Sequence, residues 1–132
     1  MTTLCPAYWR EVPHDDLRCS HCGADIVQLH ERDFRDKLFG ALSHPVRDTV
    51  VRAATILAVR HDPEASWAIE LAMRRFSDEP PVLAELLGAL AHLADDDARR
   101  IGRGALRHRS VIVRAAARRL LARIDQQAEF GR

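Results

Sequence analysis

The chain has 132 residues, 47% of them apolar, which suits one domain or a small module followed by a short array and excludes wholesale disorder. Its net charge of +1 hides an uneven split: residues 97–132 carry ten arginines against three acids (Asp97, Asp125 and Glu129), and residues 1–96 are net acidic. No apolar run approaches the ~18 residues of a membrane span, and Met1-Thr2-Thr3-Leu4-Cys5-Pro6 lacks the basic and apolar regions of a signal peptide, so a cytoplasmic protein is expected.

Residues 1–30 are rich in turn formers (Pro6, Pro13, Asp15, Asp16, Ser20 and Gly23) and hold all three cysteines. An odd count without a signal peptide argues against a disulfide framework, whereas clustering argues for a metal or redox role. Cys19-Ser20-His21-Cys22-Gly23 sets two thiols at a spacing that grips one metal, with a glycine suited to the tight turn after the second. Cys5-Pro6 looks like the start of a second knuckle, so residues 5–23 resemble a zinc ribbon of the Cys-Pro-x-Cys … Cys-x-x-Cys-Gly kind. Position 8, where that pattern has its second cysteine, is Tyr8. The expected set for a structural zinc is therefore Cys5, Cys19 and Cys22 with His14 as fourth ligand; His30 is an alternative, and His21 is less well aimed. The competing readings are a ribbon without metal packed through Tyr8, Trp9 and Val12, a redox pair lacking its βαβ context, and a catalytic zinc lacking a readable base.

From residue 31 the pattern turns helical, and the expected domain division is 1–30 and 31–132. Six helices are predicted in three pairs. The first, about 32–42, carries Phe34, Leu38, Ala41 and Leu42, and Ser43-His44-Pro45 ends it. The second, about 46–60, carries Val50, Ala53, Ala54, Leu57 and Val59; the third, about 63–76, buries Trp67 or Ala68, Leu71, Ala72 and Phe76. Ser77-Asp78-Glu79-Pro80-Pro81 is the clearest stop. The fourth helix, about 81–94, is apolar nearly all round, as befits an element flanked on both sides. Asp95-Asp96-Asp97 offers capping oxygens to the fifth, about 97–107. The sixth, about 110–127, sets Val113, Ala116, Ala117, Leu120 and Ile124 against an arginine-rich half.

These helices repeat. Val51-Arg52-Ala53-Ala54 returns as Val113-Arg114-Ala115-Ala116, 62 residues on, and Val82-Leu83-Ala84 sits halfway. A fixed period of this size marks units that bury their apolar faces by stacking on one another. His44 and His108 fall at equivalent turns, and His61 and His92 are 31 residues apart, so structural roles such as capping helix-end carbonyls are expected of them. The stretch from about 34 to 125 resembles the short bacterial and archaeal HEAT-like repeats first associated with bilin lyases, whose second helices carry a Val-Arg-x-Ala-Ala-like signature. The middle repeat departs from it at Leu83 and Glu85. The resemblance implies an all-α fold, a short α-solenoid of three antiparallel hairpins behind the zinc-ribbon-like segment.

No nucleophile motif, phosphate loop or paired-carboxylate pattern is present. The function expected of such a repeat is non-catalytic binding of a protein partner. The alternative is binding of nucleic acid or another polyanion through the last helices, where Arg114, Arg118, Arg119 and Arg123 spread over one half of a helix. Against it, Phe130 is the sole aromatic after Phe76, and base stacking wants more. Such charge also serves simply to solvate a terminal helix, and Lys37 being the one lysine among 20 basic residues is a bias that codon usage produces as well. A bilin lyase activity follows from the family's name alone, since nothing in the chain specifies a chromophore pocket.

Overall fold

The structure, a computed structural model, describes residues 2–4, 11–13 and 26–130, with side chains from His30 onward. It divides into two compact units, residues 1–37 and 38–132, and helix α1 (Ile26–Ala41) runs through the division. In the first unit β1 (Thr2–Leu4) and β2 (Glu11–Pro13) pair antiparallel, with Thr2 opposite Pro13, Thr3 opposite Val12 and Leu4 opposite Glu11. Helix α1 starts at Ile26 rather than near residue 32. The turn formers stop at Gly23, and Asp25, a residue type favoured just before helices, directly precedes the first helical residue.

The second unit continues with α2 (Arg47–Val59), α3 (Ala65–Arg75), α4 (Pro80–Leu90), α5 (Asp96–Ala105) and α6 (Val111–Phe130). From Ile26 to Phe130 the fold is all-α, with the turns where the Pro- and Asp-rich stretches predict them. No described helix is long and apolar enough to cross a membrane. Helices α2, α4 and α6 lie side by side with α4 between the other two. Behind them α3 packs on α2, α4 and α5, and α5 packs on α6.

Helix α4 is the centre of this arrangement. Pro80 opens it at the first helical turn, where a missing N–H costs nothing. Val82, Leu83, Leu86, Leu87, Ala89 and Leu90 are all buried, and each large aliphatic side chain contributes about 1.5–3 kcal/mol on leaving water. Against it α2 buries Val50, Ala53, Ala54 and Leu57, and α6 buries Val113, Ala116, Ala117 and Leu120. The alanines are what let both neighbours come close.

These buried sets define a register that differs from the repeat of residue identities. Val50, Ala53, Ala54 and Leu57 correspond to Leu83, Leu86, Leu87 and Leu90, and then to Val113, Ala116, Ala117 and Leu120. Val113 and Val82 are buried as the motif predicts, but Val51 is only partly buried and Val50 beside it is fully enclosed. The shift has a second witness in the backbone. His61 and Ala94 are the described non-glycine residues with positive φ, at 52° and 51°. Both follow the end of a central-layer helix, α2 and α4. After α2 the amide of His61 donates to the Ala58 carbonyl and that of Asp62 to the Leu57 carbonyl, the double closure of a helix ending in a left-handed residue. The counterpart of His61 is thus Ala94, and His92 is an exposed residue elsewhere in its turn.

Polar contacts tie the layers at about the repeat distance. The buried Ser66 hydroxyl donates to Asp95 Oδ2 at 2.8 Å, 29 residues away, while Asp95 Oδ1 accepts from the Ala98 amide at 2.7 Å. Asp95 thereby caps α5, as its position predicts, and holds that helix to α3. Arg47 pairs with Glu79, Arg109 with Asp78 at 3.0 Å and Arg100 with Glu70 at 2.9 Å, across 32, 31 and 30 residues. His44 and His108 do have matching structural roles, though not as carbonyl caps. Each Nδ1 accepts the amide of the residue two further on, Val46 or Ser110, at 3.0 Å. The carbonyls of the same two histidines are taken by Arg75 and Arg114, both at 2.8 Å.

Some expected core residues face outward. Trp67 is 64% exposed and Leu71 49%; of the residues expected inward, Ala68, Ala72 and Phe76 are buried, and Ala65 and Ile69 join them. Val59 and Phe34 are also exposed. The burial register separates two adjacent valines. Val50→Asp should cost on the order of 3 kcal/mol or more, because it buries a charge without a partner. Val51→Asp should cost less than half as much. Urea unfolding followed by helical circular dichroism measures both; equal losses would disprove the one-residue shift.

Candidate binding groove

The residues expected to hold zinc, Cys5, His14, Cys19 and Cys22, lie outside the described residues, as does His21. His30 is on α1 and exposed. Among the described residues no group of three or more His, Cys, Asp or Glu side chains is placed to hold a metal ion.

The basic residues expected to form a binding surface are described in full, and they do not behave alike. Arg114 is half-buried, and its Nη1 donates to the carbonyls of His108 at 2.8 Å and Arg109 at 2.9 Å. It closes the α5–α6 turn. Arg118, Arg119 and Arg123 are exposed and pair with no acid among the described residues. Elsewhere in the arginine-rich end, Arg99 bonds Asp125 at 2.9 Å and Arg100 bonds both oxygens of Glu70. That double hydrogen bond from Arg100 holds the Glu70 carboxyl below its ordinary value of 4.5, against the opposing effect of partial burial.

Arg119 and Arg123 line a shallow depression of about 210 Å³ with Ala84, Gly88, Ala91, Ala116 and Leu120. A second depression, on the α2 side of α4, is lined by Asp48, Val51, Arg52, Thr55, Ile56 and Glu85. At 100° per residue, Ala84 and Gly88 share the strip of α4 that is not buried, Glu85 lies at its α2 edge, and Ala91 just past the helix is buried at its end. Ala84 of the first and Glu85 of the second are successive residues of α4, and the two depressions are taken together as one groove with α4 as its floor and α2 and α6 as its walls.

The floor is cut low by its small residues. A Cβ added at Gly88 would meet nothing within 4 Å, so packing does not demand glycine there. A glycine inside a helix nonetheless costs ~0.5–1 kcal/mol relative to alanine. Gly102 in α5 is a contrast: its added Cβ would lie 3.1 Å from side-chain atoms of both Leu120 and Leu121, so close helix packing accounts for it. The arginine wall stands out in the sequence and the floor does not. The available signal was Gly88 in the middle of an otherwise leucine-rich helix.

The groove's chemistry follows from this lining. Arg52, Arg119 and Arg123 set three cations without ion-pair partners among the described residues against two acids, Asp48 and Glu85.

The arginines separate by stability. Arg118→Glu and Arg119→Glu should each change unfolding free energy by less than about 0.5 kcal/mol, as exposed residues without partners do. Arg114→Ala should cost about 1–2 kcal/mol through two lost hydrogen bonds to carbonyls. Equal effects in denaturant titrations would disprove this division of roles. No family model, curated protein or solved structure matches the chain.

Proposed function

We propose that residues 31–132 act as a non-catalytic, HEAT-like repeat scaffold that binds a protein partner, and that residues 1–30 form a zinc-ribbon-like module beside it. The observation that carries the reading is the groove across α2, α4 and α6, floored by Gly88 and walled by Arg119 and Arg123. The α-solenoid reading is supported by cross-helix contacts that recur every 29–32 residues and by matched burial on the three central helices. Stacked repeats use such helix-lined faces as extended binding surfaces, and charge complementarity selects an acidic segment for this one.

A photo-crosslinking residue placed at Gly88 tests the site in the native host. One or a few proteins should attach there, and attachment should vanish when Arg119 and Arg123 are both changed to Glu while helical circular dichroism stays intact. The same group at exposed Arg103 on α5 should not capture them. Capture that survives the charge reversal would refute the groove reading.

The unpaired state of Arg118, Arg119 and Arg123 favours one second reading, a polyanion such as nucleic acid. It predicts that the crosslinked species is nuclease-sensitive and that retention falls steeply with salt.

The proposed zinc is structural, held by Cys5, Cys19, Cys22 and His14. A module of about 30 residues has too small a core to fold alone, which is why a metal would matter to it. The antiparallel pairing of β1 with β2 supports a ribbon-like module, since one paired strand ends directly ahead of Cys5 in sequence and the other directly ahead of His14. Protein purified without added metal should carry one equivalent of zinc by elemental analysis. Cys22→Ser should lower that content sharply and His14→Ala should lower it too, with little change in helix content. Zinc well below one equivalent, with three freely titratable thiols, would leave the ribbon without its metal.

A further inference from the structure

On the opposite layer, between α3 and α5, lies a cavity of about 320 Å³ that the groove reading does not use. It is at the lower end of the size range of small-molecule sites, about 300–1,000 Å³. Its floor is apolar: Met73, Leu83, Ile101, Ala105 and Val113. Its rim is polar and contains Glu70, Arg74, Ser77, Arg100 and His108.

The rim charges are not balanced. Glu70 is engaged by Arg100 through both its oxygens, at 2.9 and 3.1 Å, and Arg100 also approaches Asp97 at 3.7 Å. Arg74 makes no hydrogen bond or close ion pair among the described residues, and only a longer-range attraction links it to Glu70. His108 adds a donor. Its Nδ1 accepts the Ser110 amide, so in the neutral ring the proton sits on Nε2. The cavity therefore joins an apolar floor to a rim with one unmatched cation and a hydrogen-bond donor.

Gly104 lines the same cavity and adds a second argument. A Cβ built there would meet nothing within 4 Å, unlike Gly102 two residues earlier. A glycine near the end of α5 weakens the helix without any packing return, yet any side chain at this position would project beside the cavity.

We propose that the cavity between α3 and α5 is a binding site for a small amphipathic anion, a carboxylate with an apolar tail. The tail lies against Met73, Ile101 and Val113, and the carboxylate meets Arg74 and the Nε2–H of His108. Its location on the α3–α5 layer makes it independent of a partner seated on the α2, α4 and α6 face.

The probe is octanoate, compared with 1-octanol and octylamine, on the full chain. Met73 is one of two methionines, so a ¹³C-labelled methyl reports on the cavity directly. Octanoate should shift the Met73 signal saturably with Kd in the millimolar range, roughly what ten heavy atoms of ordinary efficiency support. Octanol should bind about fivefold more weakly or worse, and octylamine should not bind measurably. Gly104→Leu should fill the mouth and abolish the shift. Arg74→Gln, at an exposed position where folding is not at risk, should weaken octanoate about fivefold without changing octanol, and Arg118→Gln should do nothing. A Met73 signal unmoved to roughly 20 mM octanoate, equal binding of the amine, or full binding by Arg74→Gln would each overturn the proposal.

Discussion

The burial of α4 between α2 and α6 is the interaction on which the rest of the unit depends. A helix with Val82, Leu83, Leu86, Leu87 and Leu90 spread around most of its circumference has no stable place at a surface. It requires apolar neighbours on two sides and a further layer behind. Alanines at 53, 54, 116 and 117 supply neighbours that approach closely, and α3 and α5 supply the layer. What is left of the α4 surface is one strip, and that strip is low where Ala84 and Gly88 lie in it. The candidate site is thus a by-product of how the core closes.

Hydrophobic burial alone does not fix how far one helix slides along the next. The polar ties do this. Asp95 joins the start of α5 to Ser66 of α3, and Glu70, Asp78 and Glu79 each receive an arginine from a helix or turn about 30 residues away. These are mostly exposed pairs and individually weak. Their value lies in direction: each is satisfied in one register only. The Ser66–Asp95 contact matters most, since a buried hydroxyl without a partner is costly.

The same tertiary pairing sorts a basic region that looks uniform. Arg99, Arg100, Arg109 and Arg114 are spent on carboxylates and turn carbonyls. Arg118, Arg119 and Arg123 are left for solvent or a partner, and two of these three line the groove. Glycine sorts likewise. Gly102 is explained by leucines of α6 pressing on it, whereas Gly40, Gly88 and Gly104 have open space, and the last two of these lie in the two concavities. A helix glycine that packing does not explain is where a close approach by another molecule would compensate its cost.

Much of this was determined by sequence alone. Six helices, their turns, the break at Ser77–Pro81, Asp95 as a cap and the inward stripe of α6 are local matters, decided within four residues by periodicity and backbone chemistry. The repeat of valine and alanine was equally legible. The tertiary structure decided the rest. It chose Val50 over Val51, because identity repeats every 62 residues while burial follows whichever side of α2 meets α4. It matched His61 to Ala94 rather than His92, because these two carry the left-handed backbone at which the chain turns away after α2 and α4. It left Trp67 and Leu71 outside, because an amphipathic face is buried only where a neighbour exists to cover it. It separated structural from available arginines, because their partners lie 26–31 residues away or across a turn, beyond the reach of any local pattern.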